Sequence, residues 1–143
     1  MVDYIKHNNS ILAIIIRNNY SNDNIEFFTP GDFSQQLGYM KRPKDYSIEP
    51  HVHNIVERKV NLTQEVLYIK RGKIRVDFYN DEKNYIESNI LKTGDVILLA
   101  SGGHGFKMLE ESEIIEVKQG PYSEQLDKVR FDSIEDDNIK LKI

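Results

Sequence analysis

Apolar residues in this chain occur in short runs, and turn residues separate the runs roughly every 8–12 positions. The first clear run, residues 11–16, is β-branched, of strand length and bounded by Asn and Ser. The middle of the chain contains no uninterrupted 3.6-residue period of helix length. This pattern is typical of an all-β sandwich or barrel.

The same pattern predicts the individual strands. Residues 65–70 and 74–79 flank a tight turn at Gly72 and form the clearest predicted hairpin. Residues 123–129 are expected to form a short helix, and 135–143 a loose strand or tail. The remaining predicted strands are 11–16, 25–28, 35–41, 46–53, 85–91, 95–100, 104–108 and 113–118. The predicted core stripe is Leu67, Ile69, Ile74, Val76, Ile97, Leu99, Ile115 and Val117.

With 143 residues and no internal repeat or low-complexity linker, the chain is expected to form one domain over 1–143. Its barrel core is expected at about residues 10–119 and its C-terminal tail at 120–143. The organisation is therefore that of one compact all-β domain.

Composition narrows the function. The absence of cysteine excludes disulfides, thiolate metal sites and cysteine nucleophiles, so any metal ligands must be His, Asp or Glu. A net charge of -4 argues against a nucleic-acid binder, which would carry a basic face. The chain has no signal-peptide pattern, and residues 11–16 are too short to span a bilayer. We expect a cytoplasmic protein with neither nucleic acid nor membrane as a partner.

Two of the four histidines, His51 and His53, are separated by one residue. On a strand, residues i and i+2 project from the same face, roughly 6.6 Å apart along the axis. Two imidazoles in that arrangement can converge on one metal ion, although a solvent-facing pair on an edge strand is the simpler interpretation of such a pair alone.

Two further residues lie in recognisable surroundings. Glu65 begins an apolar strand that ends at Gly72, and His104 follows a glycine pair after the strand that Gly94 and Asp95 begin. With the two earlier histidines, these segments resemble the two motifs of the cupin superfamily over roughly residues 46–118. The resemblance implies a double-stranded β-helix (jelly-roll) barrel. It also implies a metal site formed by His51, His53, Glu65 and His104.

The chain departs from the first cupin motif in its spacing. Eleven residues separate His53 from Glu65, where the motif has three or four. Glu57 has the usual spacing, but Gln64 occupies the position of its glycine, whereas Glu65 has Gly72. We therefore favour Glu65, interpret 54–62 as an inserted extension, and keep Glu57 as an alternative ligand. In the second motif Ala100-Ser101-Gly102-Gly103 replaces the usual Pro-x-Gly turn and is one residue short, and Met108 occupies a position where Asn is common. A glycine pair can make the same tight turn because glycine tolerates positive φ.

Three imidazoles and one carboxylate suit Fe(II), Mn(II), Ni(II), Co(II) or Zn(II) and leave coordination positions open for a substrate. The expected function is a metal-dependent enzyme acting on a small polar metabolite. Similarity to small cupins of surface-polysaccharide and nucleotide-sugar pathways implies a sugar or sugar acid as substrate. Glu57 and Arg58 are candidate catalytic groups for proton transfer and anion binding. The alternatives are a non-catalytic metal- or sugar-binding module, in which Glu57 closes the open position, and an Fe(II) dioxygenase.

Other expectations concern the barrel mouth and the assembly. The resemblance to cupins implies a homodimer, because a second subunit often covers the strand edges of open cupin barrels, where exposed edges invite pairing. Residues 11–16 are the candidate edge strand. Polar residues on or near predicted strands that could line the mouth are Tyr39, Lys41, Arg58, Arg75, Glu116 and Lys118.

Overall fold

A computed structural model describes residues 1–142. Ten strands dominate it: β1 Val2–His7, β2 Ser10–Ile16, β3 Ile25–Phe27, β4 Gly38–Met40, β5 Glu65–Arg71, β6 Lys73–Tyr79, β7 Tyr85–Lys92, β8 Val96–Leu99, β9 Gly103–Met108 and β10 Glu113–Lys118. The described helices are the single turn α1, Glu124–Asp127, and a 3-10 turn, Asp136–Asn138. Neither has the length or apolar content that crossing a bilayer requires. The all-β prediction is confirmed.

The chain divides into two compact units. Met1–Tyr20 and the chain from Leu62 onward form the first, here called the sandwich unit. Ser21–Asn61 forms the second, here called the insert unit. Each is described separately below.

The sandwich unit contains two antiparallel sheets. One has five strands in the order β1-β2-β8-β5-β10, and the other has three in the order β7-β6-β9. The hydrophobic core draws on both sheets, since Ile15, Leu67 and Ile97 of the first pack with Ile74 and Phe78 of the second. The sheets therefore face each other across one core, which leaves β10 and β9 outermost on one side of the sandwich and β1 and β7 outermost on the other.

Strand β2 lies inside the larger sheet. It pairs with β1 on one side and β8 on the other, and its residues Ile14 and Ile15, which point to opposite faces, are both fully buried. A strand paired on both sides has no free edge. The expectation that residues 11–16 form an exposed edge for strand exchange is therefore wrong. The missed strand β1 covers that edge.

The predicted hairpin of 65–70 with 74–79 is also wrong, although both segments are strands. Strand β5 pairs with β8 and β10, whereas β6 pairs with β7 and β9. The turn at Gly72, whose φ is +98°, instead connects the two sheets. A Cβ at Gly72 would lie 2.5 Å from the Glu111 carbonyl oxygen, so glycine is required at this corner.

Six of the eight predicted core residues are buried, whereas Ile115 and Val117 are 52% and 59% exposed. Both lie on β10, where the neighbouring Ile114 packs against the core instead. Alternate residues of a strand face opposite sides, so adjacent isoleucines leave the inward side undetermined in the sequence. The predicted core residues Ile115 and Val117 are on the side of β10 that faces outward.

The insert unit has one two-stranded antiparallel sheet, in which Glu26 of β3 is opposite Tyr39 of β4. The predicted strand over 46–53 is absent, and residues 46–61 have no regular secondary structure. Pro43 precedes this stretch and Pro50 lies within it, and neither supplies a backbone N–H to a sheet. Its apolar side chains are exposed, Val52 to 89%, so no hydrophobic face stabilises a strand here.

Candidate active site

The sandwich unit brings Glu65 and His104 together. Glu65 begins β5 on the same face as Leu67 and Ile69, which are core residues. His104 on β9 is directly opposite the core residue Phe78 of β6, so its ring also faces inward. The His104 Nε2 atom lies 3.2 Å from Glu65 Oε2. Glu65 and His104 are thus in direct contact although they are 39 positions apart in the chain. The predicted four-ligand site requires such a contact between these two of its four residues.

A glycine turn places His104 at this position. Gly102 has φ +70°, and a Cβ on it would lie 2.4 Å from the Tyr79 carbonyl oxygen. Only glycine accepts both the backbone conformation and the close approach of β6. The expectation that this glycine pair turns the chain ahead of His104 is confirmed.

Lys118 adds a positive charge to the pair. It is directly opposite Glu65 in the register of β10 with β5, and its Nζ atom lies 3.9 Å from Glu65 Oε1 and 3.8 Å from Glu116 Oε1. The ammonium group also lies 5.4 Å from the centre of the Tyr122 ring. We call Glu65, His104 and Lys118 the β9 seam, because they lie where β5 and β10 face β9.

The β9 seam holds its carboxylate ionised. The hydrogen bond with His104 lowers the pKa of Glu65 below its ordinary value, and the partial burial of the carboxylate opposes this effect. The positive charges of His104, Lys118 and Lys128 lower the pKa further. The Glu65 side chain is 13% exposed and that of His104 is 28% exposed, so the pair is partly screened from water but open to a small ligand.

The other predicted site residues belong to the insert unit. His51 and His53 are exposed in an irregular segment, but their rings still touch edge to face, with centroids 5.2 Å apart. The Nδ1 atom of His51 lies 3.0 Å from the Glu49 carbonyl oxygen. Glu57 and Arg58 are also exposed and outside any strand or helix. The two histidines thus form a pair without the strand that was expected to align them.

The donor types of the two pairs suit a first-row divalent cation, since imidazole and carboxylate both bind such ions. The predicted metal site requires four ligand side chains close together, and each pair supplies two. Within residues 1–142 no group of three or more His, Asp or Glu side chains is gathered closely enough to hold a metal ion. Glu65 and His104 are therefore a two-donor centre in the sandwich unit.

The sequence predicted Lys118 only as one of six polar residues that could line the mouth of the barrel. Its place beside Glu65 depends on the register of β10 with β5, two strands 48 positions apart at their first residues. The alternation of β10 could have assigned Lys118 to the inward face, but only after Ile114 and not Ile115 had been placed in the core.

The chain was also compared with family models, curated proteins and solved structures. None of the three comparisons found a match.

Proposed function

We propose that the β9 seam is the active centre of an enzyme of cupin type that acts on a small polar metabolite, a sugar or sugar acid being the leading class. The observation that carries the proposal is the 3.2 Å contact between His104 and Glu65 on the side of the sandwich where β9 and β10 are outermost. An imidazole paired with an ionised carboxylate is a common arrangement for proton transfer and for binding divalent metals.

Each residue of the seam has a role in this proposal. Glu65, kept ionised by His104, accepts a hydrogen bond from the His104 ring and fixes the direction in which that ring points. Lys118 lies on the other oxygen of Glu65, where its ammonium group attracts an anionic substituent such as a sugar carboxylate. Partial burial strengthens these interactions, because fewer water molecules compete for the same charges.

A divalent metal ion is part of the proposal. Glu65 and His104 are the residues of the sandwich unit that would hold it, and metal binding would replace the hydrogen bond between them, because an imidazole nitrogen that donates a proton cannot also bind a metal. When bound, such an ion would polarise a carbonyl or hydroxyl oxygen of the substrate. His51 and His53 remain the further ligands that the sequence predicts, and Glu57 and Arg58 the predicted groups for proton transfer and anion binding.

Metal content tests this part of the proposal. Protein purified without a metal-binding tag is analysed by elemental mass spectrometry as wild type, Glu65→Gln, His104→Ala and the double variant His51→Ala/His53→Ala. We expect stoichiometric metal in the wild type and loss in each variant. His7→Ala is the matched control, because His7 is the fourth histidine and lies on β1, and it should keep the wild-type content. Unchanged metal in His104→Ala would contradict the assignment.

Activity is then measured on a panel of sugars and sugar acids, with oxygen consumption followed in parallel. Turnover without oxygen uptake supports the proposed chemistry, whereas oxygen uptake that requires Fe(II) supports the dioxygenase alternative. Saturable sugar binding without turnover supports the non-catalytic module. Neither binding nor turnover with any member of the panel would contradict the proposed substrate class.

A metal-independent acid–base centre is the second candidate, and one observation favours it. Glu65 already contacts His104 directly and has a lysine 3.9 Å away, which is sufficient for proton transfer by an imidazole that a carboxylate orients. Activity that survives chelation but is lost in His104→Ala would support this candidate over the metal enzyme.

A further inference from the structure

A concave region lies on the side of the sandwich unit away from the β9 seam. It is a cleft of about 740 Å³ at the outermost strands β1 and β7, and its walls include Val2, Ile90 and Leu141. Small-molecule sites usually have volumes of about 300–1,000 Å³ and mostly apolar walls. We call this region the β7 cleft. None of its lining residues belongs to the β9 seam.

Arg17 is a partly buried cation of the β7 cleft, and its charge is already neutralised. Its Nε atom donates to Asp3 at 2.7 Å, and its Nη1 atom donates to Asp95 at 3.2 Å and to the Ile90 carbonyl oxygen at 2.7 Å. Two carboxylates therefore face one guanidinium. This group is part of the frame of the cleft and leaves no positive charge for a ligand.

Two lysines supply the unneutralised charge. Lys73 of β6 and Lys92 of β7 both line the cleft and lie directly opposite each other in the antiparallel register. Residues in such a position have Cβ atoms about 4.5–5.5 Å apart, and like charges there destabilise the sheet. Over residues 1–142, no carboxylate lies within 4.0 Å of either ammonium group.

The neighbouring cations, unlike Lys73 and Lys92, form ion pairs with carboxylates. On the same strand, Arg75 is paired with Asp77 through two bonds of 2.8 and 3.0 Å and also with Asp136. Lys142, another lining residue, is paired with Glu87 at 3.2 Å. Since these cations have carboxylate partners, Lys73 and Lys92 are the lysines of the cleft lining that keep an unneutralised charge.

We propose that the β7 cleft binds a small organic anion that has an apolar body. Its anionic group lies between Lys73 and Lys92, where it relieves their mutual repulsion. Its body packs against Ile90, which shares a face of β7 with Lys92, and against Leu141. The inference is independent of the proposed function, because it uses none of the same residues.

Fluorescence titration with 8-anilinonaphthalene-1-sulfonate tests the site, since this probe has an aromatic body and one sulfonate. Octanoate and inorganic phosphate are the competitors. We expect saturable binding of one probe per chain, displacement by octanoate, and little displacement by phosphate at the same concentration. Lys73→Gln/Lys92→Gln should weaken binding about tenfold or more, because both partners of the anionic group are lost. Leu141→Asp should weaken it by placing a carboxylate against the apolar body, and because Leu141 is about half exposed the fold should tolerate the change.

The control is Lys44→Gln/Lys83→Gln, which removes two exposed lysines that do not line the cleft and should bind the probe like the wild type. Equal weakening in this control would assign the effect to net charge and overturn the proposal. Wild-type affinity in Lys73→Gln/Lys92→Gln, or probe binding that does not saturate, would also overturn it. Displacement by phosphate as effective as that by octanoate would reject the apolar part of the ligand.

Discussion

The two sides of the sandwich unit each contain a partly or fully buried carboxylate, but the two carboxylates differ in how many hydrogen-bond donors surround them. At the β7 cleft, Asp95 is 3% exposed and accepts hydrogen bonds from the backbone N–H groups of Asn18 and Lys92 and from Arg17. At the β9 seam, Glu65 has one close contact, with His104, and a more distant lysine. One carboxylate is saturated with donors, whereas the other keeps accepting capacity for a ligand.

The difference follows from what each carboxylate holds in place. Asp95 fixes three separate pieces of backbone: the end of β2, the β7–β8 turn and, through Arg17, strand β1. A buried carboxylate with several donors costs little to desolvate, because the donors replace water. Glu65 contacts only side chains on two strands, so a substrate or metal ion can replace part of its environment without breaking the fold. If the proposed function is correct, the number of donors around each carboxylate separates Asp95, which holds the fold together, from Glu65, which binds a ligand.

The largest predicted effect is on stability, at Asp95. Asp95→Ala leaves two backbone N–H groups without an acceptor and removes one of the two carboxylates on Arg17. Breaking a buried charged network of this kind costs about 3 kcal/mol of unfolding free energy. Urea denaturation followed by circular dichroism measures it, with Asp32→Ala in the insert unit as an exposed control. If Asp95→Ala lowered the unfolding free energy by no more than the control does, Asp95 would not have this structural role.

Glu65→Gln is expected to give the converse result. The amide keeps the size of the side chain and can still bond to His104, so the unfolding free energy should fall by only about 1 kcal/mol or less. Metal content and turnover should be lost, because the negative charge is gone. The comparison is sharpest when Asp95→Ala and Glu65→Gln are measured together. If Glu65→Gln were as destabilising as Asp95→Ala, the two carboxylates would have the same role.

The acid dependence of stability should distinguish Glu65→Gln from the wild type. Because the folded-state pKa of Glu65 lies below its ordinary value of 4.5, the carboxylate stabilises the fold above about pH 4.5, and this contribution is lost as the pH falls through the lowered pKa. In metal-free protein, the stability difference between wild type and Glu65→Gln should therefore be constant near neutral pH and shrink in acid. Urea midpoints measured across the acid range provide the test, and a difference that grows in acid would contradict the sign.

Much of this arrangement could be predicted from the sequence, and the reasons for the failures are physical. The alternation of Glu65, Leu67 and Ile69 gave both a strand and its inward face. The Gly102–Gly103 pair gave the turn before His104. The pairing of strands was not encoded locally, since Gly72 can turn a hairpin or connect two sheets with the same residues. The segment containing His51 and His53 alternates like a strand, but Pro50 within it removes a backbone N–H and no strand among the described residues pairs with it.

Lys118→Met is expected to produce the smallest effect and the most specific one. The positive charge of Lys118 contributes to the lowered pKa of Glu65 after the larger effects of His104, so its removal should raise that pKa slightly while changing the unfolding free energy by about 0.5 kcal/mol or less. Carbon-detected NMR titration of the Glu65 carboxyl measures the change. Lys70→Met is the matched control, because Lys70 also lies on the five-stranded sheet but pairs with Glu113 at 3.6 Å. An equal rise in both variants would show that net charge, and not the position of Lys118 beside Glu65, sets the ionisation of the seam.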